Sequence, residues 1–127
     1  MSIPHSLDGF DVTDAVGRML DQPVLWWQAV GLFVDHFTHW ETEWLASFGD
    51  DALERKRVHA LRSAAANVGA RSLAEKAGVL EDCLLARLAG GPGEVPEASR
   101  QGVLLEFRRV WQVAAKARQT EIHGESA

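Results

Sequence analysis

Much of what an autonomous enzyme or a membrane protein needs is missing from this chain. A single cysteine, Cys83, leaves no internal disulfide and fits a reducing compartment. No apolar run approaches the roughly 18 residues of a membrane span, and the amino-terminal residues lack the charged-then-apolar pattern of a secretory signal. A soluble cytoplasmic protein is therefore expected. The 13 Lys and Arg are outnumbered by 18 Asp and Glu, and the net charge of −5 argues against nucleic acid as the main partner. There is no phosphate-binding loop or nucleotide-binding glycine pattern. No segment alternates with the period of a strand. What remains is 127 residues, 46% hydrophobic and 24% charged, enough for one domain with a single modest core.

The apolar residues recur with helical spacing. Phe10, Val12, Ala15, Val16, Met19 and Leu20 form a stripe for a short first helix capped by Asp11, which should lie across the body as a cover. The strongest signal follows: Trp26, Val30, Phe33, Phe37, Trp40, Trp44 and Phe48, at spacings of four and three. With Pro23 tolerated in its first turn, it reads as one helix from Asp21 or Gln22 to about Ser47, roughly 38 Å long. Phe48, Gly49 and Asp50 end that helix and cap the next, which runs to Val68. Gly69 suits a helix-ending turn.

A fourth helix spans about Arg71 to Ala89, with Leu73, Ala77, Leu80, Leu84 and Leu88 as its buried stripe and with Gly78 positioned to permit a close helix crossing. Gly90 to Pro96 is a surface loop. The last helix carries Val103, Leu104, Phe107, Val110, Trp111 and Ala114, with Arg108, Arg109, Lys116 and Arg118 on a solvated face. The fold class is all-α: an antiparallel four-helix bundle with a short additional amino-terminal helix. A single domain covers residues 1–127, with an ordered core at about 8–118 and a polar tail at 119–127 expected to fray. The stripes leave little apolar surface over, so a monomer is expected.

Two groups suggest chemistry and are read as structural. His36, His39 and Glu43 lie near one helix face and, with Asp35, could be metal ligands. A bundle metal site draws ligands from facing helices, though, and no matching Glu-x-x-His occurs elsewhere, so the group reads as a solvated polar face. Cys83 reads as a small apolar filler.

His59 is different. At about 100° per residue, Leu61, Ala64, Ala65 and Val68 fall within roughly 60° of the direction opposite it, with Val58 at the edge of that core arc. Arg55 and Arg62 stand on one side of His59, Lys56 and Ser63 on the other, and Ala66 lies below it, two turns along. An exposed imidazole ringed by cations and floored by small residues suits a nucleophile that a bulky partner approaches closely. Arg55, Lys56 and Arg62 disfavour a further positive charge and favour the neutral ring, which alone has a free lone pair. The same cations suit the oxygens of an arriving phosphoryl group. No acid–base dyad or acidic metal cluster is evident around the histidine.

The stretch His59-Ala60-Leu61-Arg62-Ser63, then Asn67-Val68-Gly69-Ala70, Leu73, Ala77 and Leu80-Glu81, resembles the signature of histidine-containing phosphotransfer (HPt) domains. That pattern is His-x-Leu-Lys-Gly, a run of small residues, Gly-Ala, then Leu, Ala and Leu-Glu at fixed offsets. The match keeps its register over a stretch of some 25 residues. Arg62 replaces the usual Lys and keeps the charge; Ser63 replaces the usual Gly and adds a hydroxyl.

The resemblance implies a phosphocarrier of a two-component phosphorelay. His59 would accept a phosphoryl group from the aspartate of a receiver domain and pass it to another receiver. Arg62, Ser63, Arg55, Lys56 and Ala66 would form the phosphate-stabilising and docking surface. The expected partners are response-regulator receiver domains and a hybrid sensor kinase. No cofactor or metal is expected in this chain, since the Mg²⁺ and the catalysis belong to the receiver, and no kinase activity of its own. The alternative is a module that keeps this fold and binds a receiver or kinase without accepting phosphate. The dimerisation domain of a sensor kinase fits less well: it has Glu after its histidine and a Pro further on, whereas Ala60 follows here and no proline occurs before Pro92.

Overall fold

The computed structural model describes the backbone of residues 2–126 and the side chains of residues 2–120. Within them the chain is all-α, with six helices: α1 Val12–Arg18, α2 Pro23–His36, α3 Trp40–Ala46, α4 Asp51–Val68, α5 Arg71–Leu88 and α6 Glu97–Ser126. The long helices meet in a ring, α2 on α4, α4 on α5, α5 on α6 and α6 on α2. Cross-links set their directions. Trp26 at the start of α2 bonds Val68 at the end of α4, Arg87 at the end of α5 bonds Asp51 at the start of α4, and Arg118 late in α6 bonds Trp27. Neighbours around the ring are therefore antiparallel. The expectation of a frayed tail at 119–127 falls mostly on side chains outside those described; the backbone of α6 continues to Ser126.

An aromatic spine fills the ring. Trp26, Trp27, Phe33, Phe37, Trp40 and Trp44 are all buried, with Trp40 stacked on Trp44 at 5.0 Å and tilted against Phe107 at 4.8 Å. Each large ring removes about 200 Å² from water, roughly 5 kcal/mol of transfer free energy. Burial obliges each indole N–H to find an acceptor. Trp26 donates to Val68 O at 2.9 Å, Trp40 to Arg57 O at 2.9 Å, Trp44 to the Glu54 carboxylate at 3.1 Å and Trp111 to Val34 O at 3.1 Å. The spine is thus bolted to α4 and α6 as well as packed on them.

Several expectations need correction. The aromatic stripe does not lie on one helix: residues 37–39 break it between α2 and α3. The Val34 carbonyl accepts the Thr38 hydroxyl at 2.8 Å and the Trp111 indole, and such side-chain donors compete with the main-chain ladder. The spacing survives the break because one turn separates the two helices. Phe48 ends the stripe 41% exposed, its ring facing Trp44 on one side and the Arg100 guanidinium at 4.5 Å on the other. Leu20 is 79% exposed because it and Asp21 adopt left-handed backbone in the turn after α1. Leu88 is exposed at the last turn of α5. The cations of α6 are also more than a solvated face. Arg108 grips Glu41 with two bonds of 2.8 Å, Arg109 links Glu106 to Asp8, and Arg118 lies over the Trp27 ring.

The periodicity of α4 did not anticipate Glu54, which is fully buried between α3 and α6. Arg100 answers it with bonds of 2.7 and 3.1 Å, and Trp44 adds a third donor. Removing one member of a buried pair leaves the other desolvated without its counter-charge. Arg100→Ala should therefore destabilise the fold by about 3 kcal/mol in urea melts, whereas Glu54→Leu with Arg100→Leu should cost clearly less than the single change.

Candidate functional site

The hairpin of α4 and α5 builds the site, and Gly69 makes the hairpin. Gly69 has φ +87°, the left-handed conformation that ends a helix without a side-chain penalty, and the Ala70 N–H closes the turn onto Ala65 O at 2.8 Å. A Cβ there would sit 2.7 Å from the Asp11 carbonyl oxygen and 2.9 Å from Ala15 Cβ, so α1 crosses the turn at contact distance. Asp11 and Arg18 fasten α1 in place. The Asp11 N–H bonds Gly69 O at 2.8 Å, and the Arg18 guanidinium bonds Ala66 O at 3.0 Å. With the turn fixed, α5 returns along α4 and brings Glu81 opposite His59, 22 positions away in sequence.

Glu81 is buried, its side chain 2% exposed, and three residues of α4 converge on its carboxylate. His59 Nδ1 lies 2.8 Å from Oε2, Arg55 Nε donates to the same oxygen at 3.1 Å, and Arg62 Nη1 donates to Oε1 at 3.0 Å. Burial pushes the Glu81 pKa up. The hydrogen bonds from Arg62 and His59, with the His59 and Arg55 charges, more than offset it and hold the group below the usual carboxylate range. Near neutral pH the carboxylate only accepts, so His59 Nδ1 is the donor. In the neutral ring this leaves the lone pair on Nε2. His59 itself is about half exposed. The arrangement holds a nucleophilic nitrogen in a fixed tautomer and orientation on an open surface.

The residues singled out in the sequence lie on this face in two groups. Arg55 and Arg62 join His59 around Glu81, so they are paired cations rather than members of a free ring, and the surroundings of the imidazole do include an acid. Lys56, Ser63 and Ala66 are exposed along α4, apart from the Glu81 cluster. Beside them an apolar groove runs between α2 and α4, lined by Ala29, Leu32, Phe33, Ala64 and Asn67. Leu32 is 56% exposed on its rim. Of the metal candidates, His36 ends α2, His39 caps α3 and Glu43 pairs with Arg57 at 3.4 Å. Among the described residues, no three His, Cys, Asp or Glu side chains gather where they could hold a metal ion.

Glu81 is the residue whose role the sequence reading missed. The signal was present: it follows Leu80 and lies four positions after Ala77, on the apolar stripe of α5, where a carboxylate needs donors from the facing helix. Comparison of the chain with models of protein families, with curated proteins and with solved structures returns no match.

A depressed carboxylate pKa stabilises the fold above the unfolded-state value and loses that contribution as pH falls through the folded value. Glu81→Gln should therefore be less stable than the parent protein at pH 7. The gap should persist down to the ordinary glutamate pKa, about 4.3, and close below it, as urea melts across pH will read. In the same variant, long-range ¹H–¹⁵N spectra of His59 should lose the excess of the Nδ1–H tautomer.

Proposed function

We propose that this protein is a histidine phosphotransfer protein: a phosphocarrier that accepts a phosphoryl group on His59 from the aspartyl phosphate of a receiver domain and hands it to another receiver. One observation carries the reading. The half-exposed imidazole is held through Nδ1 by a buried carboxylate, which leaves the lone pair of the neutral ring on Nε2. The HPt-like register from His59 to Glu81 supports it independently, because the same 22-residue offset that matches the motif is the one that joins the two side chains.

The chemistry follows from the geometry. Nε2 attacks phosphorus, the N–P bond forms as the P–O bond to the aspartate breaks, and the carboxylate leaves with the electron pair. The ring then carries positive charge, with its proton still on Nδ1 and shared with Glu81, whose negative charge stabilises the product. Arg62 and Arg55, tied to Glu81 by one N–H each, retain further N–H groups and the positive charge that favours a phosphoryl group on the neighbouring ring. The receiver supplies the Mg²⁺ and the phosphate donor; this chain supplies a positioned nucleophile. The small exposed surface of Ala60, Ser63 and Ala66 leaves room for the partner's aspartate to reach Nε2, and the neighbouring groove offers apolar contact at Leu32.

Incubation with phosphorylated receivers and Mg²⁺ should place an acid-labile phosphate on the parent protein and none on His59→Gln, while ATP alone should label neither. Label persisting on His59→Gln overturns the assignment. Receiver binding without transfer in the parent favours the interaction module.

Ser63 tests the docking face separately. It stands one turn beyond His59, where side chains at i and i+4 are neighbours, and being exposed it contributes little to the core. Ser63→Gln should slow transfer about tenfold or more with a melting temperature close to that of the parent, and Ser63→Gly should retain the rate. A normal rate in Ser63→Gln means that the receiver docks elsewhere.

A further inference from the structure

Gly78 lies in the middle of α5, buried, three residues before Glu81 and on the same face. Glycine weakens a helix interior, and this one has no unusual backbone angle to justify it, since it is not among the glycines with positive φ. The sequence suggested a close helix crossing. The structure gives a different occupant for the space. The three atoms nearest to a Cβ built at Gly78 all belong to Arg62: Nε at 3.1 Å, Cζ at 3.2 Å and Nη2 at 3.4 Å. Near-equal distances to three atoms of one planar group mean that the guanidinium lies flat over the glycine. From there its fourth heavy atom, Nη1, reaches Glu81 Oε1.

We propose that Gly78 is a positioning residue of the His59 site, its missing Cβ forming the slot in which the Arg62 guanidinium lies so as to fix the Glu81 carboxylate and face an incoming phosphoryl group. The role in transfer rests on the phosphocarrier reading; the slot itself does not. The slot is shaped for a planar group. A guanidinium lies flat in it, with Nε and Nη2 against the glycine, and binds Glu81 through Nη1. A Cβ would force the guanidinium away by a few tenths of an ångström while Glu81, buried in α5, stays put. The Arg62–Glu81 bond must then lengthen or bend, and the oxygen shared by His59 and Arg55 belongs to the same rigid carboxylate.

The experiment is a double-mutant cycle on the full chain with two readouts. Gly78→Ala should keep or raise the melting temperature, because alanine favours the helix, yet slow transfer from a phosphorylated receiver about fivefold. In ¹⁵N spectra of the unphosphorylated protein the Arg62 Nε signal should shift, and His59 should lose part of its Nδ1–H tautomer excess. In an Arg62→Lys background, whose slim amine does not fill the slot, Gly78→Ala should change neither rate nor spectrum.

A Gly78→Ala protein with parental rate and parental Arg62 signals overturns the proposal. So does one that slows equally with Lys at position 62, or one that melts lower in both backgrounds, which marks the close helix crossing instead. If the parent never accepts phosphate, the phosphocarrier reading fails, and the Arg62 and His59 spectra alone then decide whether Gly78 positions the cluster.

Discussion

A carboxylate taken out of water has to be answered by donors, and this bundle meets that constraint at three buried glutamates. Glu54 joins α4 to α6 through Arg100 and to α3 through Trp44. Glu106 joins α6 to α5 through Ser72, with Lys76 nearby and Arg109 from its own helix. Glu81 joins α5 to α4 through Arg55, His59 and Arg62. Each buried charge fixes the rotation of one helix against the next more sharply than apolar packing alone, because its donors have direction. Only at Glu81 is one of the donors an imidazole. The device that sets helix register elsewhere therefore sets the tautomer and orientation of a nucleophile here.

The stiffness needed for that comes from the other side of α4. The spine of Trp26, Trp40 and Trp44 donates to Val68 O, Arg57 O and the Glu54 carboxylate, so α4 is held along its length by three indoles. At its end, Gly69 and the crossing of α1 remove freedom from the turn that sets the α4–α5 register. His59 stands midway along the outward face of α4, between anchored turns. A rigid helix with a small-residue surface presents a nucleophile to a second protein at little entropic cost, because the groups that meet are ordered beforehand.

How much of this could be read in the sequence depended on whether the pattern belonged to one helix or to two. The core face of α4 follows from its own period, and Val58, Leu61, Ala65 and Val68 are buried as that period requires. The caps at Asp11 and Asp50 were legible because a capping carboxylate acts on its own helix. The break at residues 37–39 was not, since one of the two donors that meet the Val34 carbonyl there is Trp111, 77 positions away. The cations around His59 were visible as neighbours on one helix. Their pairing with Glu81 was invisible to any single-helix projection, and so a cluster with an acid at its centre was read as a free cationic ring. Gly78 was legible as an anomaly, but its occupant again lies on the other helix.

If His59 is the proposed phosphoacceptor, the pairing changes the electrostatic logic of its phosphorylated state. Two guanidinium groups share one carboxylate, so the Arg55–Arg62–Glu81 set carries one positive charge in excess beside a neutral imidazole. A phosphoryl group on Nε2 adds nearly two negative charges, while the ring, with its proton kept on Nδ1, takes up one positive charge. The cluster then approaches neutrality without drawing on Lys56, which is exposed on the adjoining face. A free ring of three cations would bind the phosphoryl group more tightly and make its departure harder. Glu81 offsets part of that attraction, and a carrier that must both accept and release a phosphoryl group needs the two states close in energy.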